Sequence, residues 1–299
     1  MKTTTIFKVA VAILGMGVTL AQAQQPEVPA YFKEVSTITG KQGAFNPDGS
    51  YRINVARTDV KFTNSSGMAI PADMGLSTYI ALYGNADMSL GVGDVAMLQG
   101  EIDGVIDALR AGGFEVVALH NHMSAEDPRL FYLHFQTMGK TADLGKTFKN
   151  VLDVLGHGTA VTPATNVGKP KLDADALAAV FGGKPQVFPS GVLKFSSPRK
   201  DLNVTVDGMK FTPAMGLGSW AAFNACECGQ TMVMGDTCCT RTDLQGAIDA
   251  YRKAGIHITS IHNHVLGASQ EVMFMHYEGE SDSLVLAKGI KACWDGLAK

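Results

Sequence analysis

A stretch of about 140 residues occurs twice in this chain, and the duplication restricts it to folds built from two like halves. Val116-Val117-Ala118-Leu119-His120-Asn121-His122 has its counterpart in Ile258-Thr259-Ser260-Ile261-His262-Asn263-His264. A third histidine follows each at the same interval, His134 within Phe131–Phe135 and His276 within Met273–Tyr277. One offset of 142 carries 120, 122 and 134 onto 262, 264 and 276. A long unit present only twice reads as a duplicated domain, because solenoids stack three or more units of about 20–50 residues.

Other landmarks keep the offset. Arg57 and Asp59 fall on Arg199 and Asp201, alternating onto one face as paired charges of the kind common on protein surfaces. Asn64-Ser65-Ser66-Gly67 and Asp207-Gly208 read as hairpin turns. Strands are expected over Thr78–Tyr83 and Ser219–Asn224. Ile102, Val105, Ile106 and Leu109 recur at helical spacing and stop at Gly112-Gly113. The matching helix opens on Thr242-Asp243-Leu244-Gln245, in the form of a capping box, and ends at Gly255. Further helices are expected over 142–155, 172–181 and 283–297. Strands grouped before helices favour an α+β fold: two tandem copies of one unit, an antiparallel sheet with helices packed on it, related by a pseudo-twofold axis. The expected division is a signal peptide over 1–23, a first repeat unit over 24–155 that opens near Gly40 after a polar lead-in, a Gly/Thr/Pro-rich linker over 156–171 and a second unit over 172–299.

The amino-terminal assignment rests on Lys2 and Lys8, the uncharged run from Val9 to Leu20, and Ala21-Gln22-Ala23, which together have the form of a secretory signal cleaved after Ala23. The expected location is periplasmic or secreted, with no transmembrane segment in the mature chain. Removing Lys2 and Lys8 takes the formal net charge from -3 to -5, which argues against a nucleic-acid partner. The five cysteines, Cys226, Cys228, Cys238, Cys239 and Cys293, lie in the second half, and an oxidising compartment makes disulfides their first reading, with a soft-metal site as the alternative. Their connectivity is open.

With the repeat laid out, the chain resembles the LppY/LpqO family of exported bacterial proteins. The resemblance rests on His-Asn-His-Met at 120–123 followed by Glu126, Pro128-Arg129 and His134, on the second copy at 262–276, and on the segment Gly191–Arg199. It implies export but no mechanism, since that family carries no settled activity. Several of its members are lipoproteins, whereas no cysteine follows the cleavage site here. The copies also diverge: Glu126, Pro128 and Arg129 fall on Ala268, Gln270 and Glu271, which makes the first copy the better candidate for a working cleft.

Six of the eight histidines belong to the two sets. Alternation along a strand turns His120 and His122 one way, and His262 and His264 likewise. If the next apolar run pairs antiparallel, His134 and His276 join them. Three imidazoles on one face form an open ligand set for Zn, Cu, Fe or Mn. Glu126 is then a candidate fourth ligand or general base, and Arg129 a candidate anion binder. The leading expectation is therefore a divalent metal at His120, His122 and His134, with a like set at His262, His264 and His276, serving binding or metal-assisted hydrolysis or elimination. A non-enzymatic envelope protein that binds a metal, a small molecule or a partner is the second reading, and metal-free acid-base catalysis by the same histidines the third. The 14 methionines read as core filling, with copper ligation as the alternative. Nothing in the sequence has the form of a nucleotide-binding loop. A small molecule or a metal is the expected ligand, with any protein partner unknown.

Overall fold

The computed structural model describes residues 27–155, 171–226 and 228–297. The expected signal peptide and nearly all of the expected linker lie outside them. The first unit runs α1 (Ala30–Thr39), β1 (Gly43–Phe45), β2 (Tyr51–Ala56), β3 (Phe62–Asn64), β4 (Ala69–Ile70), β5 (Ser77–Gly84), β6 (Ser89–Leu98), α2 (Ile102–Ala111), β7 (Glu115–His120), β8 (Glu126–Asp127), β9 (Leu130–Gly139) and α3 (Thr141–Val154). The second runs α4 (Ala174–Phe181), β10 (Gln186–Val187), β11 (Leu193–Pro198), β12 (Thr205–Val206), β13 (Met209–Lys210), β14 (Gly218–Ala225), β15 (Thr231–Thr240), α5 (Leu244–Lys253), β16 (His257–His262), β17 (Val272–Ser281) and α6 (Ser283–Gly296).

Each unit builds one six-stranded sheet, in the orders β1-β2-β5-β6-β9-β7 and β10-β11-β14-β15-β17-β16. Every neighbouring pair within both sheets is antiparallel. The α+β expectation of two like sheet-and-helix halves is met. The hairpins form where their turns stand: Asn64 Oδ1 accepts from the amides of Ser66 and Met68 between β3 and β4. Asp207 and Gly208, with φ of 48° and 80°, make the left-handed pair that joins β12 to β13.

The central strands are buried on both faces, and the two faces do different work. Ile53, Ile80, Val95, Leu133 and Phe135 pack beneath α1, α2 and α3 through Phe32, Val35, Val105, Leu109, Phe148 and Val151. The opposite face meets the other unit. Met74, Ala96 and Tyr132 share a core with Ala222, Met232 and Met234, while Tyr79 and Val92 share another with Phe211, Cys238 and Phe274. The molecule is thus layered helix, sheet, sheet, helix, and the two sheets bury each other. Gly93 has no room for a side chain, since a Cβ there would lie 2.2 Å from the Tyr79 carbonyl oxygen and 2.3 Å from the Phe135 ring. Its repeat mate Gly235 is crowded in the same way by Tyr277 and Trp220.

Three local expectations change. The first unit opens earlier than Gly40: Ala30–Thr39 forms α1, whose Phe32 ring stacks on Tyr51 at 5.0 Å. The Thr242–Gln245 capping box does not form: α5 starts at Leu244 with Asp243 at the cap position, and the Asp243 carboxylate accepts from Thr240 and pairs with Arg199 at 3.5 Å. Arg57 pairs with Asp59 as expected, but not at the surface: it is buried and also binds Glu101 at 2.7 Å and the Ala96 carbonyl at 2.9 Å. Among the described residues no helix is long and apolar enough to cross a membrane.

Candidate functional site

His120 closes β7 and His122 lies just beyond it, while His134 sits on β9 between β7 and β6. The register sets His120 opposite Tyr132 and His134 opposite Asp94, so alternation turns all three histidines and Asp94 to the face that meets the second unit. The second sheet repeats this with His262 opposite Phe274 and His276 opposite Asp236. Because the sheets pack face to face, the histidines do not line one cleft per repeat. They converge in a single cluster across the pseudo-twofold axis.

The pairing is reciprocal. His120 stacks on His262 at 4.0 Å between ring centroids. His122 meets His276 at 3.8 Å, and their mates His264 and His134 meet at 4.1 Å. His122 also stacks on Tyr132 and His264 on Phe274, at 3.2 and 3.3 Å, which fixes each ring plane from the far side. Three sets bring one donor atom per residue within 4.8 Å of one another: His120, His122 and His276; His120, His134 and His262; and Asp236, His262 and His264. The first draws two histidines from one repeat and one from the other, so the grouping His120, His122, His134 within one copy is not the one the fold brings together.

All six histidines are buried. Desolvation is the largest influence on each and holds all six below the ordinary imidazole pKa, with His264 down to about 3. Neighbouring histidines add repulsion at His122, His262 and His276. Neutral imidazoles are the metal-binding form. Two of them are oriented by backbone: His134 Nδ1 lies 3.1 Å from the Gly93 carbonyl oxygen and His276 Nδ1 lies 3.0 Å from that of Gly235. A carbonyl only accepts, so Nδ1 carries the hydrogen and Nε2 presents its lone pair to the cluster. Asp94 Oδ2 lies 3.5 Å from His122 Nε2, and Asp236 Oδ2 lies 3.2 Å from His264 Nε2. Both ring nitrogens of His120 and of His262, Nε2 of His134, and Oδ1 of Asp94 and of Asp236 are buried without a hydrogen-bond partner. Such atoms cost about 1–3 kcal/mol each unless something satisfies them. This donor set suits a divalent metal ion.

A cavity of about 700 Å³ opens onto the cluster between the sheets. His122, His134, His264, His276, Asp94 and Asp236 form one wall. The cavity also takes in Arg52 and Lys194, which are repeat mates, and the rings beneath them. The Arg52 guanidinium lies 3.5 Å from the Tyr79 ring centre, and the Lys194 ammonium 4.1 Å from that of Trp220. Burial first, then the charge of Arg52, pushes the Lys194 ammonium down to about 8.

Glu126 and Arg129 join none of the three donor sets, and neither lines the cavity. Glu126 Oε1 accepts from the Leu130 amide at 2.8 Å, and its other oxygen faces Arg129 at 3.6 Å. Arg129 donates to the Ser124 carbonyl and is partly exposed. The carboxylates near the histidines are instead Asp94 and Asp236. Their signal was present in the sequence as an acid at the same offset within an apolar strand. Cys226 and Cys228 form a disulfide, whereas Cys238, Cys239 and Cys293 are buried thiols. Met74, Met123, Met232 and Met234 fill a core, in keeping with the packing role expected of methionine.

The sequence matches the family profile described as Domain of Unknown Function (DUF1259) twice, over residues 33–154 and 175–296, and the chain belongs to that family. No curated protein matches it. Among solved structures, EtuB from Clostridium kluyveri is similar over 86% of this chain and 90% of that one, at 10% identity and a TM-score of 0.23. The trimeric bacterial microcompartment shell protein PduB is similar over 86% and 91%, at 11% identity and a TM-score of 0.21. Scores this low carry no argument about fold or assembly.

Proposed function

We propose that this member of the DUF1259 family is an exported metalloprotein that holds a divalent transition metal between its two repeats. The observation that carries the reading is the buried cluster: six histidines, five of them with unpartnered ring nitrogens, and two carboxylates that reach them. His120, His122 and His276 are the best-defined ligand set, and Asp94 supplies an oxygen beside His122. In the second repeat Asp236, His262 and His264 bring their donor atoms together. Imidazole and carboxylate together suit Zn²⁺, Fe²⁺ and Mn²⁺, and no cysteine belongs to any donor set among the described residues. The adjoining cavity gives a small molecule access to the metal, which supports metal-assisted hydrolysis or elimination over simple storage. We also place the chain with the LppY/LpqO proteins, on the His-Asn-His-Met and Gly191–Arg199 segments.

Elemental analysis of untagged mature protein purified from the periplasm, beside a His120→Ala/His122→Ala variant, tests the proposal. The expected result is one to two equivalents of a single transition metal, lost in the variant. Protein that carries none and takes up no Zn²⁺, Fe²⁺, Mn²⁺ or Cu²⁺ would leave metal-free acid-base chemistry as the reading of these histidines.

A further inference from the structure

Arg52 and Lys194 occupy the same position in the two repeats, on β2 and β11, and the face-to-face packing of the sheets brings both to one cavity. Neither is paired as a buried cation ordinarily is. Among the described residues, no carboxylate lies within 4.0 Å of either nitrogen group. Arg52 donates to the Asn54 side chain at 3.0 Å and to the Ala214 carbonyl at 3.1 Å. Lys194 lies over the Trp220 ring, and among the described residues no hydrogen-bond acceptor engages its ammonium. Asp73, Asp94 and Asp236 line the same cavity and offset part of the repulsion between the two cations from beyond ion-pair distance, and an anion placed directly between the cations removes the rest. Asn54 and Ser196, also repeat mates, add polar groups to the same lining.

We propose that the cavity binds a small organic molecule through an oxyanion, a carboxylate or a phosphate, held between Arg52 and Lys194 on the pseudo-twofold axis and facing the histidine cluster. This rests on the metal reading only for what happens at the far end of the ligand; the anion seat itself is built by the two cations. The guanidinium presents a planar fork and the ammonium a compact charge, so the seat is lopsided despite the symmetry around it. The cavity has room for more than the anion, which assigns the neutral part of the ligand to the wall formed by Tyr79 and Trp220.

Titration calorimetry with inorganic phosphate and with malonate, at low ionic strength, tests the seat on metal-loaded and on chelated protein. At least one of the two oxyanions is expected to bind with one equivalent, and which one it is separates the phosphate source from the carboxylate source. Lys194→Met and Arg52→Gln are each expected to weaken binding about tenfold or more and the double variant to abolish it, while Lys194→Arg retains it. Metal content should be unchanged in all four variants, which also reports that they fold. Binding that persists in chelated protein and needs both cations upholds the seat even if the metal reading fails. Binding lost on chelation but indifferent to the double variant would overturn it, as would failure of both probes to bind either form.

Discussion

The strongest physical consequence of the cluster is that acid must destabilise the metal-free protein. Five of the six buried histidines, His122, His134, His262, His264 and His276, have folded pKa values far below that of an exposed imidazole, chiefly through desolvation. In the unfolded chain each titrates near the ordinary value of about 6.5. The folded form therefore binds fewer protons below that pH, and stability is complete above about pH 7.5 and declines as pH falls from about 6.5 toward the depressed folded values. At about pH 5.5 each imidazole that stays neutral forfeits about 1.4 kcal/mol, so five forfeit about 7 kcal/mol. That is comparable with the whole stability of an ordinary domain, about 5–15 kcal/mol. Urea unfolding in the presence of a chelator, repeated at intervals between about pH 8 and pH 5, measures the slope directly. The expected slope below about pH 6 corresponds to the uptake of about five protons on unfolding, and His122→Leu/His264→Leu should lower it by about two. A slope of about one proton or less would refute the argument, because it would mean that the histidines are solvated or already charged in the folded state.

Three further outcomes follow from the same geometry. Metal removal at neutral pH should lower stability by about 4 kcal/mol if the metal was present at about a thousand times its dissociation constant, read as a drop in Tm between loaded and chelated protein. Asp94→Asn and Asp236→Asn should each weaken metal affinity about 10–100-fold in a chelator competition, since each carboxylate lies beside a ligand nitrogen. Glu126→Ala should leave metal content unchanged but cost about 1–3 kcal/mol in denaturant unfolding, because the Leu130 amide loses its buried acceptor; lost metal with unchanged stability would restore Glu126 to the site.

Much of the fold was legible because its signals are local. The Asp207-Gly208 turn, the helical spacing of Ile102 to Leu109 and the alternation around His134 act within one element, and each forms as read. The hidden features are those decided by the second sheet. Alternation shows that His120 and His134 share a face, but not that the face opposes its own copy, so the ligands were grouped in cis. Glu126 looked close because it stands four residues after His122, yet its carboxylate is turned to the Leu130 amide and away from the donor sets. Asp94 and Asp236 stand about 26 residues before the His-Asn-His segments in sequence, and only the β6–β9 and β15–β17 registers bring them alongside the histidines. Arg52 and Lys194 differ in residue type, which masks a shared position whose meaning comes from a cavity neither repeat encloses alone.

The trans arrangement also changes what the divergence between the copies means. If each repeat held its own site, loss of Glu126 and Arg129 at Ala268 and Glu271 would mark the second as decayed. Because two of the three ligand sets take histidines from both repeats, neither copy can lose its triple without dismantling both of those sets. The substitutions outside the cluster are then free to reshape surfaces such as the Ser124–Arg129 loop, which now contacts Glu278 of the opposite repeat. Divergence inside the cavity is the informative kind. Arg52 over Tyr79 and Lys194 over Trp220 keep the charge and the aromatic support while breaking the symmetry of the donors. A symmetric seat presents the same donors in two orientations related by the axis; a guanidinium opposite an ammonium separates those orientations in energy and directs one end of an asymmetric ligand to one side of the histidine cluster.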